Sequence, residues 1–127
     1  MLNRVAVVTG ANAGIGFQTT LSLLRMGARV VMACRSMDKA TQAQGELLAA
    51  VPGADTVIIP LDLSEPESVR EFARRFAAEI GRLDLLVNNA GIVGIPLARN
   101  SVGQEMQLAT NYLGGFALTG LLLPLFP

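Results

Sequence analysis

Apolar residues in this chain come in short dense runs, and polar residues fill the longer stretches between them. "RVAVVT" (4 to 9), "RVVMAC" (29 to 34), "TVIIPL" (56 to 61) and "LDLLVNNAG" (83 to 91) each hold a run of strand length. None alternates with period 2, which is the pattern of strands covered on both faces. The stretches between them read as helices. "IGFQTTLSLLRMG" (15 to 27) places Ile15, Leu21 and Leu24 at helical spacing and stops at Gly27. "SMDKATQAQGELLAAVPG" (36 to 53) starts with Ser36 as its cap and ends at Pro52-Gly53. Ser64, Glu65, Pro66 and Glu67 spell a capping box with proline in the first turn, opening a helix to about Ile80. A polar loop with Gly and Pro leads to a last helix from about Val102 to Leu123.

Strand and helix thus alternate four times, which predicts an α/β fold: a doubly wound parallel sheet in one domain, residues 1–127. Right-handed crossovers set the strand order as third, second, first, fourth. No repeat, low-complexity tract or linker interrupts it.

Composition narrows the chemistry. Ten basic and ten acidic side chains cancel, so no charge excess draws the chain to nucleic acid or to an anionic membrane. Arg70, Arg74 and Arg75 share a stretch with Glu67, Glu71 and Glu79, a solvated helix face with charge pairs. Without histidine there is no Ser-His or Cys-His nucleophile and no His-based metal site, and the lone Cys34 gives neither a disulfide nor metal-ligand spacing. No signal-peptide pattern precedes the first strand, so a cytoplasmic location is the expectation. Residues 108 to 126 approach the length of a membrane span, but Asn111, Thr119, three glycines and Pro124 favour a buried or interface helix.

The stretch richest in chemistry is "TGANAGIG" (9 to 16). A glycine loop between a strand and a helix lets phosphates approach the backbone and meet the unpaired N–H groups of the helix. Its spacing, G-x-x-x-G-x-G, departs from G-x-G-x-x-G, so by itself it fits a pyrophosphate cradle or a plain turn. At the end of the second strand an acidic residue would hold the ribose of NAD. Cys34 and Arg35 stand there, and a guanidinium pairs with a 2′-phosphate, which favours NADP(H); a surface arginine starting a loop is the other reading. Asp62 could bond an adenine amino group or cap the turn before Ser64. Asn88, Asn89, Ala90 and Gly91 make either a well-built turn or a backbone wall beside the cofactor's ribose.

Together these residues resemble the short-chain dehydrogenase/reductase family. "TGANAGIG" matches its T-G-x-x-x-G-x-G cofactor loop, "LDL" (61 to 63) its adenine-side Asp, and "NNAG" (88 to 91) its fourth-strand motif. "ACR" (33 to 35) looks like the NADP-preferring members related to retinol dehydrogenases and protochlorophyllide reductases. "NYLGGFALTGLLLP" (111 to 124) is similar to the helix carrying a catalytic-tetrad asparagine, which would give that role to Asn111. The resemblance implies a Rossmann-type sheet and hydride transfer between NADP(H) and a carbonyl or alcohol. It also implies cofactor contacts at Thr9, Gly10, Asn12, Gly14, Ile15, Gly16, Arg35, Asp62, Leu63, Asn89, Ala90 and Gly91, with no metal.

One departure stands out. The family's acid-base centre is a serine with Y-x-x-x-K. This chain holds one tyrosine, Tyr112, with Phe116 four residues on, and one lysine, Lys39, far upstream. Tyr112 reads as a packed aromatic with a satisfied hydroxyl. The expectation is a sheet truncated after about four strands and four helices, with an open fourth-strand edge. Such a cofactor-binding half would be inactive alone and prone to self-association or to completion by a second chain.

Overall fold

The computed structural model describes residues 1–127. The sheet is built from β1 (Val5–Thr9), β2 (Arg29–Cys34), β3 (Thr56–Pro60) and β4 (Leu85–Val87). All neighbours are parallel and the order is β3-β2-β1-β4, as the crossover rule requires. Helices α1 (Gly14–Arg25), α2 (Met37–Ala50) and α3 (Pro66–Glu79) connect the strands, and the last helix runs over Met106–Leu125.

The register explains the unbroken apolar runs. Val57, Val31, Val7 and Leu86 form one row across the sheet. Val7, Val31 and Ile59 bury against Val69, Phe72 and Phe76 of α3 and against Leu118 and Leu122 of the last helix. Their strand neighbours Ala6, Val8, Val30 and Met32 bury on the opposite face, against Leu23 and Leu24 of α1 and Ala40, Ala43 and Leu47 of α2. The apolar strand residues therefore divide between two cores, one on each face of the sheet. At the amino end of the sheet, Asp84 accepts from the Val5 N–H at 2.8 Å and pairs with Arg82 (3.0 Å) and Arg4 (3.3 Å). The Val5 amide, helped by the two guanidiniums, holds its carboxyl below the usual carboxylate range.

Several local expectations are corrected. Ser64 does not cap α3: the cap residue is Glu65, without a side-chain bond, and the Ser64 hydroxyl turns back to Asp62 instead. Pro66 does take the first turn, and the surface pairs form, Arg70 with Glu67 at 2.9 Å and Arg75 with Glu79 at 2.7 Å. Ser36 caps α2 through the Lys39 N–H. Ile15 is 79% exposed and lies outside the core, because α1 buries the face of Thr20, Leu23 and Leu24. β4 is only three residues long and ends before Asn88. The last helix begins at Met106, where the Glu105 carboxylate accepts from the Gln107 and Leu108 N–H groups; those bonds lower the pKa of Glu105. Its second turn, Ala109–Leu113, is wound as a π-helix, a local form common at functional sites.

That helix is only partly buried. Leu118 and Leu122 reach the core, and Gly114 lies so close to β3's following turn that a Cβ there would stand 2.1 Å from the Leu63 carbonyl oxygen. Its other side is open: Tyr112 is 67% and Phe116 76% exposed, so Tyr112 is not the packed aromatic that the sequence suggests. By length and composition the helix could also cross a membrane.

Candidate functional site

The carboxyl ends of the four strands converge on the loop that follows β1. Gly10 takes φ +63° and donates its N–H to the Ala33 carbonyl at 2.9 Å, turning the chain sharply off the sheet. Six residues on, the backbone of α1 returns to the same spot. A Cβ on Gly16 would stand 2.2 Å from the Gly10 oxygen and 2.5 Å from Asn89 Nδ2, so no larger residue fits. Beneath the loop, Ala11 and Asn12 donate backbone N–H bonds to Cys34, whose thiol is nonetheless pushed up by burial.

The loop is tied to the end of β4 from both sides. Thr9 Oγ1 accepts from the N–H groups of Asn89 (2.9 Å) and Ala90 (3.0 Å). The Asn89 side chain donates to the carbonyls of Thr9 (3.1 Å) and Gly10 (3.3 Å). These bonds leave Ala90 and Gly91 as a backbone wall, and behind it stands Asn111. The Asn111 amide donates to the Ile92 carbonyl at 2.6 Å and accepts from the Ile92 N–H at 2.7 Å, joining the wall to the π-helical turn.

Between loop and wall lies a cavity of about 180 Å³. Gly10, Asn12, Arg35, Asp62, Leu63, Ala90 and Gly91, all expected at the site, line it. Arg35 is exposed and pairs with no carboxylate, so its guanidinium stays available to an anion. Asp62 both lines the cavity and fixes a turn, its Oδ1 accepting from the Ser64 N–H (3.0 Å) and hydroxyl (2.6 Å). Thr9, Gly16, Asn89 and Asn111 stand behind the lining and build it. Gly14 and Ile15 open onto solvent at the start of α1, where Gly14 has φ +55° and a Cβ there would meet only open space.

Ala33 and Leu61, which fall inside the ACR and LDL motifs without being singled out, and Ile92 and Thr110, which fall outside the motifs, also line the cavity. Ala33 shares a strand face with Arg35, since residues two apart point the same way. Thr110 carries no such signal, since the π-helical turn brings it there. A larger concavity of about 680 Å³ on the outer side of α1 contains no titratable side chain. No three His, Cys, Asp or Glu side chains gather as a metal site. The smaller cavity has the chemistry to attract an anion: a loop where only glycine fits exposes backbone N–H groups, and an unpaired arginine is part of its lining.

The sequence model of the short chain dehydrogenase family matches residues 4–127. Retinol dehydrogenase 11 of Mus musculus is 45% identical over 120 residues, which are 94% of this chain and 38% of that protein. Retinol dehydrogenase 12 of Bos taurus is 44% identical over 123 residues, 97% of this chain and 39% of its own length. The chain therefore spans about two fifths of these relatives. Among solved structures, the Pseudomonas aeruginosa RhlG/NADP complex superimposes with a TM-score of 0.83 at 35% identity, covering 98% of this chain and 48% of that one. A metagenomic short-chain oxidoreductase in complex with NADP gives 0.83 at 32% identity, covering 97% and 56%.

Proposed function

Because the chain belongs to the short-chain dehydrogenase family, we propose that it forms the dinucleotide-binding part of an NADP(H)-dependent oxidoreductase acting on a carbonyl or an alcohol. When bound, the nicotinamide cofactor donates or accepts the hydride. The residues described here bind and orient it. Backbone N–H groups of the 10–16 loop and the α1 N-terminus face the pyrophosphate, as the positive end of a helix dipole favours. Arg35 takes the 2′-phosphate, Asp62 and Leu63 the adenine end, and Ala90 and Gly91 the nicotinamide ribose. Asn111, clamped on Ile92, keeps the wall and the π-helical turn in register.

The observation that carries this reading is the unpaired Arg35 at the rim of a glycine-walled cavity. Arg35→Ala is expected to weaken NADPH binding by about tenfold or more, the scale of a lost charge-assisted bond, and to leave NADH nearly unchanged. Equal losses for both nucleotides, read by nucleotide fluorescence, would overturn the NADP(H) assignment.

A second reading rests on Tyr112 and Lys39, which sit on the last helix and on α2 and form no acid-base pair within these residues. On that reading the segment holds the nucleotide without turning it over. NADPH binding by these 127 residues with no carbonyl reduction would favour it.

A further inference from the structure

Asn100 is one of the few buried polar residues in the molecule, and it lies outside the TGANAGIG, ACR, LDL and NNAG stretches. Its two side-chain atoms do different work. Oδ1 accepts from the N–H groups of Val102 (3.2 Å) and Gln104 (2.8 Å), folding its own loop. Nδ2 donates across the molecule to the Ser64 carbonyl at 2.7 Å and to Gln104 Oε1 at 2.8 Å. Ser64 is the residue whose N–H and hydroxyl grip Asp62 Oδ1. The next residue along, Ser101, donates its N–H to Glu65 at 3.0 Å and its hydroxyl to the same carboxylate, a second fastening on the same turn.

We propose that Asn100 is a positioning residue for the nucleotide: through its donor to Ser64 it holds the Asp62–Ser64 turn in place as the adenine-side wall. This rests on the dinucleotide reading above. Leu61, Asp62 and Leu63 form one side of the cavity, and the loop that ends in Asn100 begins at Ile92 on the opposite side. One buried amide thus ties the Asp62–Ser64 turn to a loop that lies far from it in sequence. A buried amide donor left without its acceptor is costly, so the turn and the loop move as one while this bond holds.

The test separates donor from acceptor. Asn100→Asp keeps the oxygen that folds the loop and loses the donor to Ser64, whereas Asn100→Ala loses both. In the nucleotide-free protein, amide exchange in residues 61–65 is expected to speed up in both variants, while β1 and β2 keep the parent's rates. Affinity for 2′,5′-ADP, which engages only the adenine end, is expected to fall about tenfold in both, the size of one buried hydrogen bond. An Asp variant with the parent's exchange and affinity overturns the proposal, as does faster exchange spread evenly over the sheet. A parent protein that does not bind 2′,5′-ADP overturns the dinucleotide reading instead, and the exchange comparison still decides whether Asn100 holds the turn.

Discussion

One methyl group added at Gly16 would meet the Gly10 carbonyl 2.2 Å away, a contact that no flexible side chain can relieve. Gly16→Ala is therefore expected to cost about 2–3 kcal/mol, at the upper end of overpacking, and to abolish nucleotide binding, as thermal melts and NADPH titration would read. Asp84 offers a test at the other end of the sheet. Its folded pKa is lowered, first by the Val5 N–H and then by Arg82 and Arg4. A lowered carboxylate stabilises the fold above its unfolded pKa of about 3.9, and that stability is lost as pH falls through the lower folded value. Asp84→Asn should then melt below the parent at neutral pH, and the gap should close as the pH drops below about 4. A gap independent of pH would contradict the ionised role. Cys34 has the opposite sign: burial raises its pKa, so the thiol stays protonated and shielded at neutral pH. These roles were unequally legible. Gly16 and Arg35 stood in recognisable spacings, whereas Asn100 and Asp84 act through partners set by the fold, which no local pattern announces.

Whole elements were readable wherever burial decided them. Each strand sends residues into both cores, so its run is apolar throughout, and the helices between those runs, with right-handed crossovers, give the order of the sheet. Element starts were less legible, because a polar side chain there has a choice of partners. Ser64 could have capped α3, but Asp62 Oδ1 lies 2.6 Å away and takes its hydroxyl. The last helix starts late because Asn100 organises residues 100–104 into a turn, which leaves the cap to Glu105. The same helix carries a prediction at this scale. Gly114 is what allows it to lie on the Leu63 carbonyl, 2.1 Å from where a Cβ would be. Gly114→Ala is expected to push the helix off, to destabilise the fold by about 1–3 kcal/mol and to weaken nucleotide binding, since Leu63 lines the cavity. A melting temperature equal to the parent's would show that the helix can shift at no cost.

At the scale of the whole molecule, the polar and apolar surfaces are unevenly shared. α3 faces solvent with arginine–glutamate pairs, while the last helix faces it with Leu108, Tyr112, Phe116 and Leu123, each at least half exposed. Beside that helix, β4 pairs only with β1, so its outer backbone edge is free and its residues Leu85, Leu86 and Val87 are half-buried. An open strand edge next to an apolar helix face favours pairing with another chain. Fully covering one large apolar side chain gains about 1.5–3 kcal/mol, so burying several of these partly exposed residues together works against the entropic cost of association. Residues 1–127 produced alone are thus expected to self-associate with rising concentration, as sedimentation velocity would show. Tyr112→Lys with Phe116→Glu should shift them toward monomer and leave the melting temperature of the dilute, monomeric chain unchanged, because neither side chain contributes to the core. A monodisperse monomer with a sharp, concentration-independent transition would show that this surface is tolerated as it stands.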